Sequence, residues 1–287
     1  METLKLPLLG LLPLLVLLAG IEAWLGRRLG RGSFDWRESA ASLAIAVGQR
    51  VSGLASAGLV GSAFFWVWDH RLFSVPLDNL WAPPLLFLGS ELCYYWQHRL
   101  SHESRWFWAS HAVHHSARHL NFSAAYRLGW TAGFTGAALF FVPLVLFGFH
   151  PLAVGLALAA NLTYQFWLHT ELVPKLGAFE WLFNTPSHHR VHHASNREYL
   201  DANYGGVLIV FDRLFGTLVE ERADVPCHYG LVKPVDSYNP IRIAFHEWVA
   251  MAHDLHAAAS WRERAQYAFG PPGWRPERVN ERHASSR

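Results

Sequence analysis

Runs of apolar residues long enough to cross a bilayer constrain this chain more than anything else in it. A lipid interior offers the backbone no hydrogen-bond partner, so such a run must be helical, and about 20 residues suffice to span. Residues 4–25, 39–68, 80–96, 129–149 and 151–168 are the candidate runs. The first is too long for the core of a signal peptide and has no small-residue cleavage site behind it, so it reads as a retained anchor. The second carries one embedded Arg50, which must face protein or reach for an interface. The last two form a hairpin around the turn Gly148-Phe149-His150-Pro151. Composition agrees, since 52% hydrophobic against 16% charged is unlike a soluble domain. The 14 Trp and 9 Tyr suit a membrane–water boundary.

The short loops set the orientation. Arg27, Arg28, Arg31 and Arg37 lie between the first two runs, against Arg71 alone in the next loop. Basic loops stay cytoplasmic, so the N-terminus is expected outside and the chain after Trp96, and again after His169, inside. The expectation is an all-α integral membrane protein, multi-pass, with four to five transmembrane helices and a cytoplasmic helical cap holding a histidine-ligated dimetal site. Residues 1–78 read as anchor helices, 79–260 as the main unit and 261–287 as a polar tail, with an amphipathic helix over 241–259. A net charge of +2 suggests no nucleic-acid partner. Cys93 and Cys227 are too few for a disulfide framework or a thiolate metal site.

Eighteen histidines are the anomaly in this composition. HRLSH places His98 and His102 four apart, on one helical face, directly after the third run. HAVHH sets His111, His114 and His115 at the same kind of spacing, and HHRVHH repeats it with His189, His192 and His193. His188 adds an imidazole four residues before His192, and His169 in QFWLHTE stands at the inner end of the hairpin. Without a metal, so many partly buried imidazoles would leave polar groups unmet and repel one another when protonated. Imidazole suits zinc, copper, iron and nickel alike, but one tetrahedral zinc takes about four ligands, so eight or more imply two ions. The H-E-x-x-H pattern of zinc proteases is absent, and bis-histidine haem would use isolated histidines on facing helices.

In this order, and flanking an apolar hairpin, HRLSH, HAVHH and HHRVHH resemble the eight-histidine signature of the fatty acid hydroxylase and sterol desaturase superfamily. The likeness extends through YYWQHRLSHE (94–103), QFWLHTE (165–171), NTPSHHRVHH (184–193) and NYGGVLIVFDRLFGT (203–217), and more weakly through YGLVKP, NPIRIAFHE and GPPGW. It spans roughly residues 80–274 and is strongest to members acting on ether-linked glycerolipids. The resemblance implies a di-iron centre, two Fe per chain, ligated by His98, His102, His111, His114, His115, His189, His192 and His193, with His169 alongside. It implies dioxygen as co-substrate, with hydroxylation of a lipid C–H bond as the outcome. Tetrahydrobiopterin is the further cofactor it brings into question.

Desaturation on the same site is the alternative outcome. A non-catalytic membrane protein that binds or transports metal is the alternative of another class, disfavoured because the histidines gather at helix ends on one side. No GxGxxG, CxxCH or iron–sulfur pattern is present, so electrons must come from a partner reductase. Asn203 and Tyr204 are candidates to bond a ligating imidazole or a metal-bound water, with turn chemistry in NYGG as the plain reading, and Glu103 is a candidate to hold an imidazole N–H, with a solvated helix-end charge as the plain reading. Glu91 and Glu171 stand close to proposed ligands in the same way. His70, His119, His150, His228, His246, His253, His256 and His283 have no matching motif and read as structural or exposed.

Overall fold

The computed structural model describes residues 6–277, so His283 lies outside the described residues. Helices α1 (Leu6–Leu29), α2 (Trp36–Asp69) and α3 (Ala82–Glu103) cover the first three apolar runs. Asp35 caps α2 by accepting from Arg37 N at 2.7 Å. Among the described residues, α2 is the one helix long and apolar enough, by length and composition, to cross a membrane. Its 34 residues span about 51 Å, well beyond the hydrocarbon thickness of about 30 Å. The excess is spent on protein: Glu38, Ala41, Ser42, Ile45 and Ala46 are buried, whereas Val51, Leu54, Leu59 and Trp66 further along are exposed.

Residues 129–149 depart from expectation. Instead of one spanning helix they form two short 3-10 turns, at 132–134 and 137–141. The chain has helices on either side, α4 (Arg105–His115) and α5 (Phe122–Ala125) before these turns and α6 (Val142–Leu146) after them. The cause is local: Gly136 adopts a left-handed φ of +88°, and Pro143 occupies the first turn of α6, where its missing N–H costs nothing. The intended hairpin therefore has one long helical arm, α7 (Pro151–Phe166), whose first N–H groups include one bonded by His150 Nδ1 at 3.2 Å. Leu86 and Tyr94 of α3 pack with Phe141, Leu144, Val145 and Val154 to bind these pieces together.

The rest of the chain forms a cap of short helices: α8 (Pro186–His193), α9 (Val210–Phe215), α10 (Pro240–Ala257) and α11 (Trp261–Phe269). No strand occurs among the described residues. At Ser104 the backbone turns extended, with φ −121° and ψ 123°, which ends α3 and reverses the chain so that HRLSH and HAVHH face each other. Arg105 then clamps α4 to α10 through Glu247 and Asp254, each at 2.7 Å. Residues 261–269, at the head of the stretch read as polar tail, form α11, which buries Ala268 against Ala109 and Met251.

The first two helices do more than lie alongside. Glu22 of α1 accepts from Phe122 N at 2.6 Å. Glu38 of α2 accepts from Arg118 N at 2.5 Å and meets His119 Nδ1 at 2.7 Å. Both carboxylates thus grip the segment that leaves HAVHH, and a buried carboxylate receiving N–H donors is a strong tether.

Candidate metal centre

Nine imidazoles converge in two groups. His98, His102, His111, His115 and His192 offer ring nitrogens within 4.8 Å of one another, as do His114, His169, His189 and His193. Helix geometry does the sorting. On α4, His111 and His115 are one turn apart and serve the first group, while His114 points to the second; on α8, His189 and His193 serve the second and His192 the first. Each triplet therefore contributes to both groups. HRLSH supplies only the first and His169, past the end of α7, only the second.

The atoms that meet are the Nε2 nitrogens. His98 faces His111, and His111 faces His115, each at 3.1 Å. His114 faces His169 at 3.1 Å, His169 faces His189 at 3.0 Å, and His189 faces His193 at 3.1 Å. Three of these rings already spend their other nitrogen on a carbonyl: His98 Nδ1 on Tyr204 O, His192 Nδ1 on Ala202 O and His169 Nδ1 on Gln165 O, all at 2.9 Å. A carbonyl only accepts, so these Nδ1 atoms carry the proton and the Nε2 atoms are bare lone pairs. Lone pairs crowded together repel unless a cation sits among them. These separations are short enough for each group to share one ion.

Burial enforces neutrality. His111, His114, His115, His189, His192 and His193 are all held well below the usual imidazole value, first by desolvation and then by one another's charge. Buried His102 Nε2, His114 Nδ1, His189 Nδ1 and His192 Nε2 have no protein hydrogen-bond partner, which for His102 and His192 marks the nitrogen that faces the centre of the group.

The remaining sequence candidates fall elsewhere. His188 joins neither group: its ring lines a separate cavity with Lys175, Glu180 and Arg213, because on α8 it projects away from the face that His189, His192 and His193 share. Asn203 bonds no imidazole. Its amide donates to His188 O at 3.0 Å and Val219 O at 2.8 Å, and its oxygen accepts from Val219 N. Glu103 is half exposed and pairs with Arg99 at 2.8 Å. Glu91 is buried but accepts from Asn161, Val207 N and Leu208 N rather than from a histidine.

Tyr204, expected with Asn203 to bond a ligating imidazole, does so through its backbone carbonyl, on His98. What sequence reasoning missed is Ala202, which aims His192 through a carbonyl that carries no side-chain signature; the faint signal was NYGG, whose Asn203 sits at φ +59° after Asp201 at +57°. Asp212 fastens this loop, accepting from Tyr204 N at 2.7 Å, Gly205 N at 2.8 Å and Thr217 Oγ1 at 2.7 Å. Arg127 closes the end of α4, donating to Val113 O and Ser116 Oγ at 3.1 Å, where a cation complements the helix dipole.

A family model described as fatty acid hydroxylase matches residues 84–217, which contain all nine clustered histidines. Alkylglycerol monooxygenase of Homo sapiens is 36% identical over 263 residues, 91% of this chain and 58% of that protein. The Xenopus tropicalis alkylglycerol monooxygenase is 37% identical over 236 residues, covering 82% of this chain and 52% of the relative. An ornithine lipid hydroxylase of Rhizobium tropici is 34% identical over 129 residues, 45% of this chain and 39% of that protein. The chain thus spans a little over half the length of these two alkylglycerol monooxygenases. No solved structure matches.

Proposed function

We propose that this chain, which the fatty acid hydroxylase model matches over residues 84–217, is a membrane-bound di-iron monooxygenase that hydroxylates a C–H bond of a lipid. The observation that carries this reading is the pair of imidazole groups with bare, converging Nε2 lone pairs. Nine imidazoles exceed the four ligands of a single tetrahedral zinc, and iron has the redox states that zinc lacks. His98, His102, His111, His115 and His192 would hold one iron and His114, His169, His189 and His193 the other. Bound iron supplies the redox chemistry that couples dioxygen to an unactivated C–H bond.

The chain's own residues perform the rest. Tyr204 O, Ala202 O and Gln165 O fix the tautomers of His98, His192 and His169, so the lone pairs stay aimed without reorganisation. Burial of the imidazoles excludes bulk water and keeps them neutral. Within this reading the cap faces the cytoplasm, the N-terminus lies outside, and electrons arrive from a reductase. An ether-linked glycerolipid is the substrate we favour, after the relatives that match over most of this chain. One oxygen atom enters the ether-bearing C–H bond, and the other leaves as water with two electrons and two protons. The resulting hemiacetal collapses to an aldehyde and a free glycerol hydroxyl.

The test supplies membranes containing the protein with alkylglycerol, fatty acyl and sterol lipids, a reductase and labelled dioxygen, and follows label into product. Label in the aldehyde from alkylglycerol is expected. Label confined to acyl or sterol products rejects the ether substrate. A new double bond without label identifies a desaturase, and no oxidation of any lipid by iron-replete protein defeats the enzymatic reading.

A further inference from the structure

Between the end of α1 and the segments that follow His115 and His169 lies a cavity of about 280 Å³ that the proposed chemistry leaves unused. The end of α1 and the turn after it contribute Glu22, Arg27, Arg31 and Ser33; Asn121 and Glu171 close the inner side. Asn121 follows His115 by six residues, and Glu171 follows His169 by two. The inner walls are therefore continuations of segments that carry clustered imidazoles.

The turn is preformed. Arg31 N donates to Gly26 O at 3.0 Å, while Gly30 and Gly32 take left-handed φ values of +60° and +72°. A Cβ on Gly26 would stand 2.7 Å from the Arg31 carbonyl oxygen, so the return of the chain depends on glycine there. Ser33 gives its N–H and hydroxyl to Glu171 Oε2, at 2.9 and 3.1 Å, which orients that carboxylate and leaves Oε1 without a protein partner. Arg27 lies over the Phe34 ring at 5.7 Å, and neither it nor Arg31 forms an ion pair among the described residues.

Two unpaired guanidiniums suit an oxyanion, to which they donate in forked pairs, and an oriented carboxylate suits an ammonium. Both charges in one cavity match a ligand that also carries both. The cavity opens where α1 ends in Arg27 and Arg28 beside exposed Trp24, the residue types that mark a membrane boundary. We propose that this cavity binds the headgroup of the lipid substrate and that the headgroup is zwitterionic, its phosphate or carboxylate on Arg27 and Arg31 and its amine on Glu171. The proposal rests on the lipid hydroxylase reading and names the class of lipid that reading would act on.

The experiment uses the full-length, metal-loaded protein in neutral detergent and titrates it with 1-O-octylglycerol, its 3-phosphocholine and its 3-phosphate. The phosphocholine probe should bind roughly tenfold tighter than the neutral one, the worth of one charge-assisted contact beyond those they share. Arg31→Gln and Glu171→Gln should each bring that ratio close to one, with metal content as the check that the fold survives and Arg27→Gln as the second variant on the anion side. A ratio near one in the wild type, a ratio unchanged in the variants, tighter binding of the phosphate than of the phosphocholine, or displacement by inorganic phosphate as effective as by glycerophosphocholine overturns the proposal. Labelled-dioxygen turnover of the same lipids separates the two ideas. Label entering a neutral lipid with no headgroup preference rejects this site and keeps the hydroxylase; tight zwitterion binding with no label in any lipid rejects the reaction and keeps the site.

Discussion

The two histidine groups are built from the same two triplets yet are held in different ways. In the five-imidazole group, His98 and His192 take their aim from carbonyls of a loop, Tyr204 O and Ala202 O, and His102 Nδ1 stands 3.6 Å from the exposed carboxylate of Asp201 in the same loop. In the four-imidazole group, His169 bonds the carbonyl of its own preceding turn, and the Nδ1 atoms of His114 and His189 have no partner. One group depends on the 201–204 loop, 106 residues from His98 in the sequence and ten from His192; the other is set largely where helices end. Damage to the loop at 201–204 should therefore disturb the first group before the second.

Removing a ligand from either side gives the largest effect. Ala at His192 or at His114 is expected to lower lipid turnover by at least ~100-fold, since second partners of ligands alone are worth 10- to 100-fold. Metal analysis should show about one iron per chain where the wild type holds about two, and the two variants should differ in which spectroscopic signal is lost. Wild-type turnover in His114→Ala would remove the four-imidazole group from the mechanism.

Asp212→Ala should break the symmetry between the groups. It strands the buried N–H groups of Tyr204 and Gly205 and leaves the Thr217 hydroxyl only its bond to Tyr95 OH, a cost of about 2–5 kcal/mol. Thermal unfolding would record the destabilisation, and metal titration should show weakening at the His98 group first. Equal loss from both groups would make the loop a global rather than a local support.

A fall in pH should act on both together. Burial depresses the folded-state values of the α4 and α8 imidazoles, so the unfolded chain takes up protons that the folded chain refuses. The sign is therefore a loss of stability as pH drops below the unfolded value near about 6.5, with little change above it. Chelator-stripped protein should melt at lower temperature at pH 5.5 than at pH 7.5. The metal-loaded protein should release iron over the same interval, since protons compete for the same lone pairs. A melting temperature that does not fall on acidification would mean the imidazoles are not buried as described.

The smallest effects belong to Glu103 and His70. Glu103→Gln loses an i,i+4 surface pair with Arg99, worth about 0.3–0.5 kcal/mol, and should leave metal content unchanged. His70→Ala removes a bond to Trp66 O at the exposed end of α2 and should be as mild. Denaturant midpoints measure both, and a large loss of iron in Glu103→Gln would restore that residue to the site.

Much of this protein is legible in its residues because the signals are periodic. Apolar length placed α1, α2 and α7 to within a few residues and the start of α3, which continues seven residues past the expected end at 96, and Pro240–Ala257 matches the amphipathic pattern expected over 241–259. The glycines and Pro143 that break residues 129–149 stand in the sequence too, inside a run whose apolar character is that of a span. The spacing of histidines by three and four guarantees a shared helical face whatever the fold, so the sequence alone determined that HRLSH, HAVHH and HHRVHH would act as clusters. It could not divide them. Whether His114 joins His115 or His169 depends on how α4 crosses α8 and on where the chain emerges from α7, and those are set by Ser104, Arg105 and Arg190, whose partners Glu247, Asp254 and Glu221 lie 31 or more residues away. His188 shows the same limit from the other side, since its spacing to His192 was as good as any, yet it is buried beside a separate cavity and joins neither group. Local periodicity determines which face a side chain occupies, and only long-range packing decides what that face meets.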